Sequence, residues 1–188
     1  TKKEWAGFQL FMDGGDEGAK CVLCHVADWI DPATLANDVV VPEWSPDGTI
    51  PPVFTDFTYD NLGVPVNPTV YELAGGTPPD LGLGPVVGDE NENGKFKVMT
   101  LRNIHLTAPY AHNGFFKSLE DITHFYNTRD LLPDCTLVSK PKPGTNCWDA
   151  PEYGDTMNME ELGNLGLTED DEDALVKFMK TLSDGWVP

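Results

Sequence analysis

Apolar residues recur at helical spacing near both ends of the chain. Between residues 3 and 13 the apolar positions are Trp5, Phe8, Leu10, Phe11 and Met12. This spacing is typical of an amphipathic helix, and Gly14-Gly15 predicts its end. Toward the other end, a capping box from Thr168 to Asp171 precedes apolar positions at Leu175, Phe178, Met179 and Leu182. Each predicted helix has one apolar stripe, so we expect the first and last helices to pack against each other.

Long periodic segments are scarce between these two helices. A second capping box, Ser118 to Asp121, predicts a helix through about Asn127. Residues 98–111 are apolar with few charges, which favours burial. Prolines recur through residues 28–97 and leave room only for short helices or strands. We expect a single domain over residues 1–188, with loop insertions at about 28–97 and 130–160.

The most specific motif is Cys21-Val22-Leu23-Cys24-His25, which has the Cys-x-x-Cys-His spacing of c-type haem attachment. Two thiols one helical turn apart reach the same side of the macrocycle, and His25 follows in position to ligate the iron. We therefore expect one covalent haem c, held by Cys21 and Cys24, with His25 as the proximal ligand. A redox Cys pair expects a βαβ context and half of a zinc site expects a second ligand pair, neither of which is visible.

With this cofactor, the predicted fold class is mainly α. We expect a class I cytochrome c-like helical domain whose long irregular loops wrap the haem and use it as their core. A helix that leads into the attachment motif is how small c-type cytochromes begin.

Composition and charge restrict the compartment and the partners. The net charge of −19 disfavours binding to nucleic acid or to anionic lipid, and favours a redox partner with a basic docking surface. No run approaches the roughly 18 apolar residues of a membrane helix. The chain begins at Thr1 without Met, so we expect a mature, processed chain. Haem attachment and a predicted Cys135–Cys147 disulfide both indicate the periplasm or the cell exterior.

Three further stretches, 54–65, 94–114 and 165–184, carry a family resemblance. Together with the Cys-x-x-Cys-His motif they resemble the C-terminal haem domain of the bacterial dihaem cytochrome c peroxidase and MauG family. That family has two haem domains, whereas this chain has one attachment motif. Because the resemblance implies that peroxide meets the other haem, the electron-transfer role of the C-terminal haem is the one expected here.

The sequence offers several candidates for the distal ligand of the haem iron. In the peroxidases a Met follows the Pro-Tyr-x-His-x-Gly motif, and the same interval from His112 leads here to Tyr126. The MauG branch has an iron-ligating Tyr at that position, so the resemblance implies Tyr126 as first choice. Tyr126 as a core aromatic, and an open or His-ligated iron, are alternatives. So are three thioethers, Met99, Met157 and Met159, two of which lie just before the final helix.

Arg102 and His112 are further candidates for the haem pocket. A guanidinium pairs well with a carboxylate, so Arg102 is predicted to contact a haem propionate or to brace loop carbonyls. The resemblance places His112 beside the haem; the residue alone favours a hydrogen-bonded structural histidine. The family also holds calcium through backbone carbonyls that match Thr107 and Pro109. Its side-chain partner belongs to the other domain, and residues 89–94 match only the first half of an EF-hand loop.

The expected function is electron transfer in the periplasm by a single-haem c-type cytochrome that serves a redox partner. A separate haem or dehydrogenase subunit is one candidate for this partner. The alternative is a haem enzyme with peroxidase or MauG-like oxidation activity, and a haem-binding sensor or interaction module is a third. The identity of the sixth ligand discriminates between the first two.

Overall fold

The three longest helices each begin at a side chain that caps their first turn. The computed structural model describes residues 1–26, 53–76 and 79–185. The long helices are α1 (Lys2–Met12), α4 (Leu119–Thr128) and α5 (Glu169–Met179). Thr1 and Thr168 form capping boxes, and the Ser118 hydroxyl accepts a hydrogen bond from the Asp121 amide. The three helices predicted from periodicity and caps are confirmed, with ends that differ by a few residues.

Helices α1 and α5 form the most extensive helix–helix contact in the described part of the chain. Gly7 permits this approach, since a Cβ there would lie 2.0 Å from the Ala174 carbonyl oxygen. The contact buries a cluster of Phe11, Ala19, Phe54, Leu175, Phe178 and Leu182. Lys3 adds ion pairs to Asp170 and Asp173 at 2.5 and 2.7 Å. The predicted packing of the first and last helices is therefore confirmed.

A second core forms around α4. Its buried members are Val64, Tyr110, Phe116, Leu119, Phe125, Trp148 and Val176. Trp148 packs edge-on against Phe125, with 5.1 Å between the ring centroids. Its indole N–H donates to the Thr128 hydroxyl at 3.1 Å. These contacts hold one face of α4 and leave Tyr126 partly buried at the edge of the cluster.

The connecting segments contain only short elements. They are α2 (Pro68–Leu73), α3 (Gly84–Val87), β1 (Tyr59–Asp60) and β2 (Phe96–Lys97). The two strands pair antiparallel, with Asp60 opposite Phe96. The described part of 28–97 is therefore irregular with short elements, as predicted, and residues 27–52 lie outside it. The described chain is a mainly α, cytochrome-like domain; in its three segments, no helix has the length and apolarity that crossing a membrane requires.

The predicted disulfide is confirmed within the 130–160 loop. Cys135 and Cys147 are bonded, and both are buried. The Cys135 amide donates to the Trp148 carbonyl at 2.9 Å, so the bridge lies directly beside the tryptophan that packs on α4.

Candidate functional site

Both cysteines of the motif and His25 line one cavity of about 580 Å³. A short 3₁₀ turn, Cys21–Leu23, places them there. The His25 amide donates to the Cys21 carbonyl at 2.8 Å, which closes the turn and puts the three side chains on one side. The spacing of the motif therefore becomes one wall of a mostly apolar cavity.

His25 is oriented by a backbone contact. Its Nδ1 lies 3.0 Å from the Phe54 carbonyl oxygen, and this geometry assigns the ring proton to Nδ1. Burial lowers the pKa of His25, against the opposing effect of the Phe54 hydrogen bond. The ring is thus neutral near pH 7, which is the state in which an imidazole binds a metal.

The two thiols of the motif are free and not bonded to each other. Cys21 Sγ donates to the Ala19 carbonyl at 3.4 Å, and Cys24 Sγ donates to Glu161 Oε2 at 3.6 Å. Burial raises the pKa of Cys21 to about 12, and burial with the Glu161 charge raises the pKa of Cys24 further. Both thiols are therefore protonated near neutral pH, unlike the low-pKa thiolate of a redox Cys-x-x-Cys pair.

One group of potential metal-binding side chains occurs in the described residues. Cys24, Asp60 and Glu161 bring their ligand atoms within 4.8 Å of one another. Cys21 and His25 are outside this group, and all of its members line the same cavity. The group therefore belongs to the cavity wall around Cys24.

Tyr126 and Met99 also line the cavity. Tyr126 projects from α4, and no described residue forms a hydrogen bond with its hydroxyl. Burial, with the negative charge of Asp60 among its neighbours, raises the pKa of Tyr126 well above the usual range. Met99 is 61 % exposed, so it lies on the rim rather than deep in the cavity.

Met157 and Met159 do not line the cavity. Met159 is 61 % exposed, and its Sδ accepts from Arg129 Nη2 at 3.4 Å. The Met157 thioether packs against Gly63, where an added Cβ would meet Sδ at 2.8 Å. The structure thus brings two of the four distal candidates, Tyr126 and Met99, to the cavity that holds Cys21, Cys24 and His25.

Arg102 and His112 both line the cavity, and both already have protein partners. Arg102 forms an ion pair with Asp184. The His112 ring stacks on Phe96, with centroids 3.6 Å apart, and its Nε2 lies 2.9 Å from Glu152 Oε2.

Three lining or supporting residues had no signal in the sequence. Asn158 Nδ2 donates to Asp60 Oδ2 at 2.6 Å and to Glu161 Oε2 at 2.7 Å. The two carboxylates come from segments about 100 residues apart and are held side by side on the cavity wall. No short motif relates residues at such a separation.

Thr107 and Pro109, which match the calcium-binding carbonyls of the family without their side-chain partner, fall at the cavity rim. Thr107 and Pro109 line the cavity and are exposed. In residues 89–94, Asp89 Oδ1 accepts hydrogen bonds from the Asn91 amide and side chain, within a short 3₁₀ turn. The first carboxylate of the EF-hand-like sequence is thus already used as the cap of a turn.

The cavity fits a haem by its size, its lining and its donor atoms. Its volume of about 580 Å³ is in the range typical of cofactor sites. Its mostly apolar walls suit the macrocycle, while Lys20, Lys97 and Arg102 supply positive charge for carboxylate substituents. Two protonated thiols and a neutral imidazole meet at one wall.

Comparisons with known proteins agree with this fit. No protein-family profile matches the chain. The chain is 40 % identical over 138 residues to the methylamine utilization protein MauG of Paracoccus denitrificans, covering 70 % of this chain and 35 % of that protein. It is 33 % identical over 127 residues to the cytochrome-c peroxidase IdrP2 of a Pseudomonas species, covering 68 % of this chain and 32 % of that protein. The chain thus spans about a third of the length of these curated relatives.

Similar solved structures are also dihaem peroxidases or MauG-like proteins. The dihaem peroxidase BthA from Burkholderia thailandensis superposes with a TM-score of 0.68 at 26 % identity, covering 98 % of this chain and 43 % of that one. A MauG-like protein associated with microbial copper homeostasis superposes with a TM-score of 0.61 at 23 % identity, over 98 % of this chain and 47 % of that one. The second similarity concerns the fold alone.

Proposed function

This chain belongs to the family of MauG and the dihaem cytochrome c peroxidases, and on that premise we propose that it is a c-type cytochrome domain carrying one covalent haem for electron transfer. The observation that carries the proposal is the meeting of Cys21, Cys24 and His25 on one wall of a 580 Å³ cavity. When bound, haem supplies an iron centre that exchanges single electrons. The domain corresponds to the C-terminal haem domain of the family and has the class I cytochrome c arrangement.

The residues of the motif divide the binding between them. Cys21 and Cys24 would hold the haem as thioethers, and His25 would ligate its iron through Nε2. The Phe54 carbonyl, which lies 3.0 Å from Nδ1, fixes the tautomer and the ring plane. Arg102 and His112 line the same cavity and would contact the haem periphery, each supported by the acidic partner that it already has.

Tyr126 is the distal residue in this proposal. It lines the cavity from α4, the helix that has a Met in the peroxidase branch of the family, and its hydroxyl is not used by another described residue. An anionic oxygen ligand favours ferric iron and lowers the reduction potential, whereas a thioether raises it. Met99, on the rim of the cavity, is the second choice.

A second candidate function is peroxidase or MauG-like oxidation. The observation in its favour is that a tyrosine, rather than a methionine, faces the cavity from α4, as the MauG branch implies. In this alternative the haem would supply peroxide-dependent oxidation chemistry on the side of the cavity that Tyr126 lines. The relative named as a cytochrome-c peroxidase belongs to the same family.

The proposed setting is the periplasm or the cell exterior. Covalent haem attachment and the Cys135–Cys147 disulfide support export to an oxidising compartment. The net charge of −19 supports a redox partner with a basic docking surface. A separate haem or dehydrogenase subunit is one such partner. Calcium at Thr107 and Pro109 would require ligands from that partner.

The experiment that tests the proposal uses the haem-loaded chain. Mass spectrometry is expected to give the apoprotein mass plus one haem. In Tyr126→Phe, the ferric absorption and electron paramagnetic resonance spectra are expected to lose the signature of the native protein. The matched control is Tyr110→Phe, because Tyr110 lines the same cavity but donates its hydroxyl to the Ile104 carbonyl at 3.0 Å.

Four outcomes separate the alternatives. An unchanged spectrum in Tyr126→Phe refutes the distal role of tyrosine, and loss of the native spectrum in Met99→Leu assigns that role to the thioether. A native protein that does not react with hydrogen peroxide refutes the enzymatic alternative. Turnover of peroxide with an electron donor at the rate of a peroxidase would refute a purely electron-transferring role.

A further inference from the structure

The C-cap residue of α4 is a buried cation that ties three segments around the cavity together. The Arg129 side chain is 5 % exposed, and its Nε and Nη2 donate to the Asp130 carboxylate at 2.7 and 2.6 Å. Its Nη1 donates to the Leu62 carbonyl at 3.0 Å, and Nη2 donates to the Asn158 carbonyl at 2.7 Å. Leu62 itself lines the cavity.

A buried guanidinium is costly unless its donors are paired, so this arrangement has a specific geometric use. The planar guanidinium of Arg129 donates hydrogen bonds to two carbonyls and one carboxylate in three directions. A lysine ammonium, which is a point charge, does not reproduce this geometry. Asp130 is its only carboxylate partner in the described residues. The remaining donors therefore connect the helix to the loops at 62 and 158.

Tyr126 precedes Arg129 by three residues, so both side chains lie on the same side of α4. The Gly163 amide donates to the Tyr126 carbonyl at 2.6 Å, and the Asp130 amide donates to the Gly163 carbonyl at 2.9 Å. Gly163 has φ +99°, and a Cβ there would lie 2.0 Å from Asp130 Oδ2 and 2.9 Å from Arg129 Nη2. The backbone that carries Tyr126 and the guanidinium network are thus packed as one unit.

The same network reaches the carboxylates on the cavity wall. Arg129 holds the backbone of Asn158, whose side-chain amide donates to Asp60 and to Glu161 at 2.6 and 2.7 Å. Both carboxylates line the cavity. The single cation therefore supports two features of the wall: the tyrosine on α4 and the pair of acidic side chains.

We propose that Arg129 is a positioning residue for the distal face of the cavity, which holds Tyr126 and the Asp60–Glu161 pair in place. This inference rests on the proposed function, because it takes Tyr126 as the distal residue. It assigns to Arg129 a role in setting the reduction potential through the ligand, rather than contact with the haem.

The test measures ferric spectra and reduction potentials of haem-loaded variants. Arg129→Lys keeps the positive charge and removes the planar guanidinium. We expect its ferric spectrum to move toward that of Tyr126→Phe. We also expect the ratio of ferric to ferrous protein at a fixed applied potential to fall about tenfold. For a one-electron couple, this corresponds to a rise of about 59 mV in the reduction potential. Asp130→Asn, a milder change, is expected to shift both readouts in the same direction and decides the question if Arg129→Lys does not fold.

The matched control is Lys180→Met. This change breaks the exposed ion pair between Lys180 and Glu120 of α4 and leaves the cavity untouched. Its spectrum and potential are expected to equal those of the native protein. If folded Arg129→Lys and Asp130→Asn keep the native spectrum and potential and lose only thermal stability, Arg129 is a structural brace and the inference is wrong. If Tyr126→Phe leaves the spectrum unchanged, the proposed distal role fails whatever Arg129 does, so the two failures are distinguishable.

Discussion

Replacing Gly7 by alanine tests the close approach of α1 and α5. In an ordinary helix interior this change stabilises by about 1 kcal/mol, because glycine is the poorer helix former. Here the added Cβ would lie 2.0 Å from the Ala174 carbonyl oxygen, which is backbone and has no rotamer to change. The helices must separate by about 1 Å, and gaps of that size forfeit a quarter to a half of each dispersion contact.

The separation opens the packing of Phe11 on Phe178, whose centroids are 5.2 Å apart. Overpacking of this kind costs about 1–3 kcal/mol, and the rigid acceptor places Gly7→Ala in the upper half of that range. After the gain in helix propensity, we expect a net loss of about 1–2 kcal/mol and a fall in Tm of about 2–8 °C.

The assay is urea and thermal unfolding of the haem-loaded protein, followed by circular dichroism. Gln9→Ala is the matched control, because Gln9 is exposed on the same helix and the change is expected to alter stability by less than about 0.5 kcal/mol. If the Gly7→Ala protein is at least as stable as the native one, the steric argument is wrong. The alanine Cβ would then fit beside the Ala174 carbonyl oxygen without separating the helices.

Two further predictions concern stability. The bond between Cys135 and Cys147 closes a loop with a sequence separation of 12, so changing both to alanine should lower the free energy of unfolding by about 3 kcal/mol; an unchanged urea midpoint contradicts this. Hydrogen bonds from Lys177 and Lys3 lower the pKa of Asp173 from 3.8 to about 2. Because the folded pKa is the lower one, this stabilisation is complete above pH 3.8 and is lost as the pH falls toward 2. Asp173→Asn should flatten the Tm profile in that window, and an unaltered profile would show that the ion pairs contribute nothing.

The parts of the fold that depend on residues close together in the sequence could be predicted from the sequence. Thr168 and Asp171 are three residues apart and cap each other, and the apolar stripe of α5 follows within the next turns. The Cys-x-x-Cys-His spacing likewise acts within one turn, and the structure places its three functional side chains on one cavity wall. In such cases the partners are fixed by helical geometry, so no knowledge of the rest of the chain is needed.

The distal side could not be predicted in this way. Met159 lies close before α5 in sequence, yet its side chain turns to Arg129 and away from the cavity. His124 shows no partner in sequence, but its Nδ1 lies 3.0 Å from Glu172, which is 48 residues further along the chain. The direction of a loop side chain is decided by such distant partners, and neither periodicity nor motif spacing contains that information.

The sequence by itself determined the Cys-x-x-Cys-His turn, the three long helices and the disulfide pair, because each depends on chemistry within a few residues or on a single possible partner. Only the tertiary structure decided which candidates share the cavity with Cys21, Cys24 and His25. It brought Tyr126 and Met99 to that cavity and left out Met157 and Met159. The physical reason is that the cavity wall is assembled by hydrogen bonds across the fold, such as those of Arg129 to the carbonyls of Leu62 and Asn158.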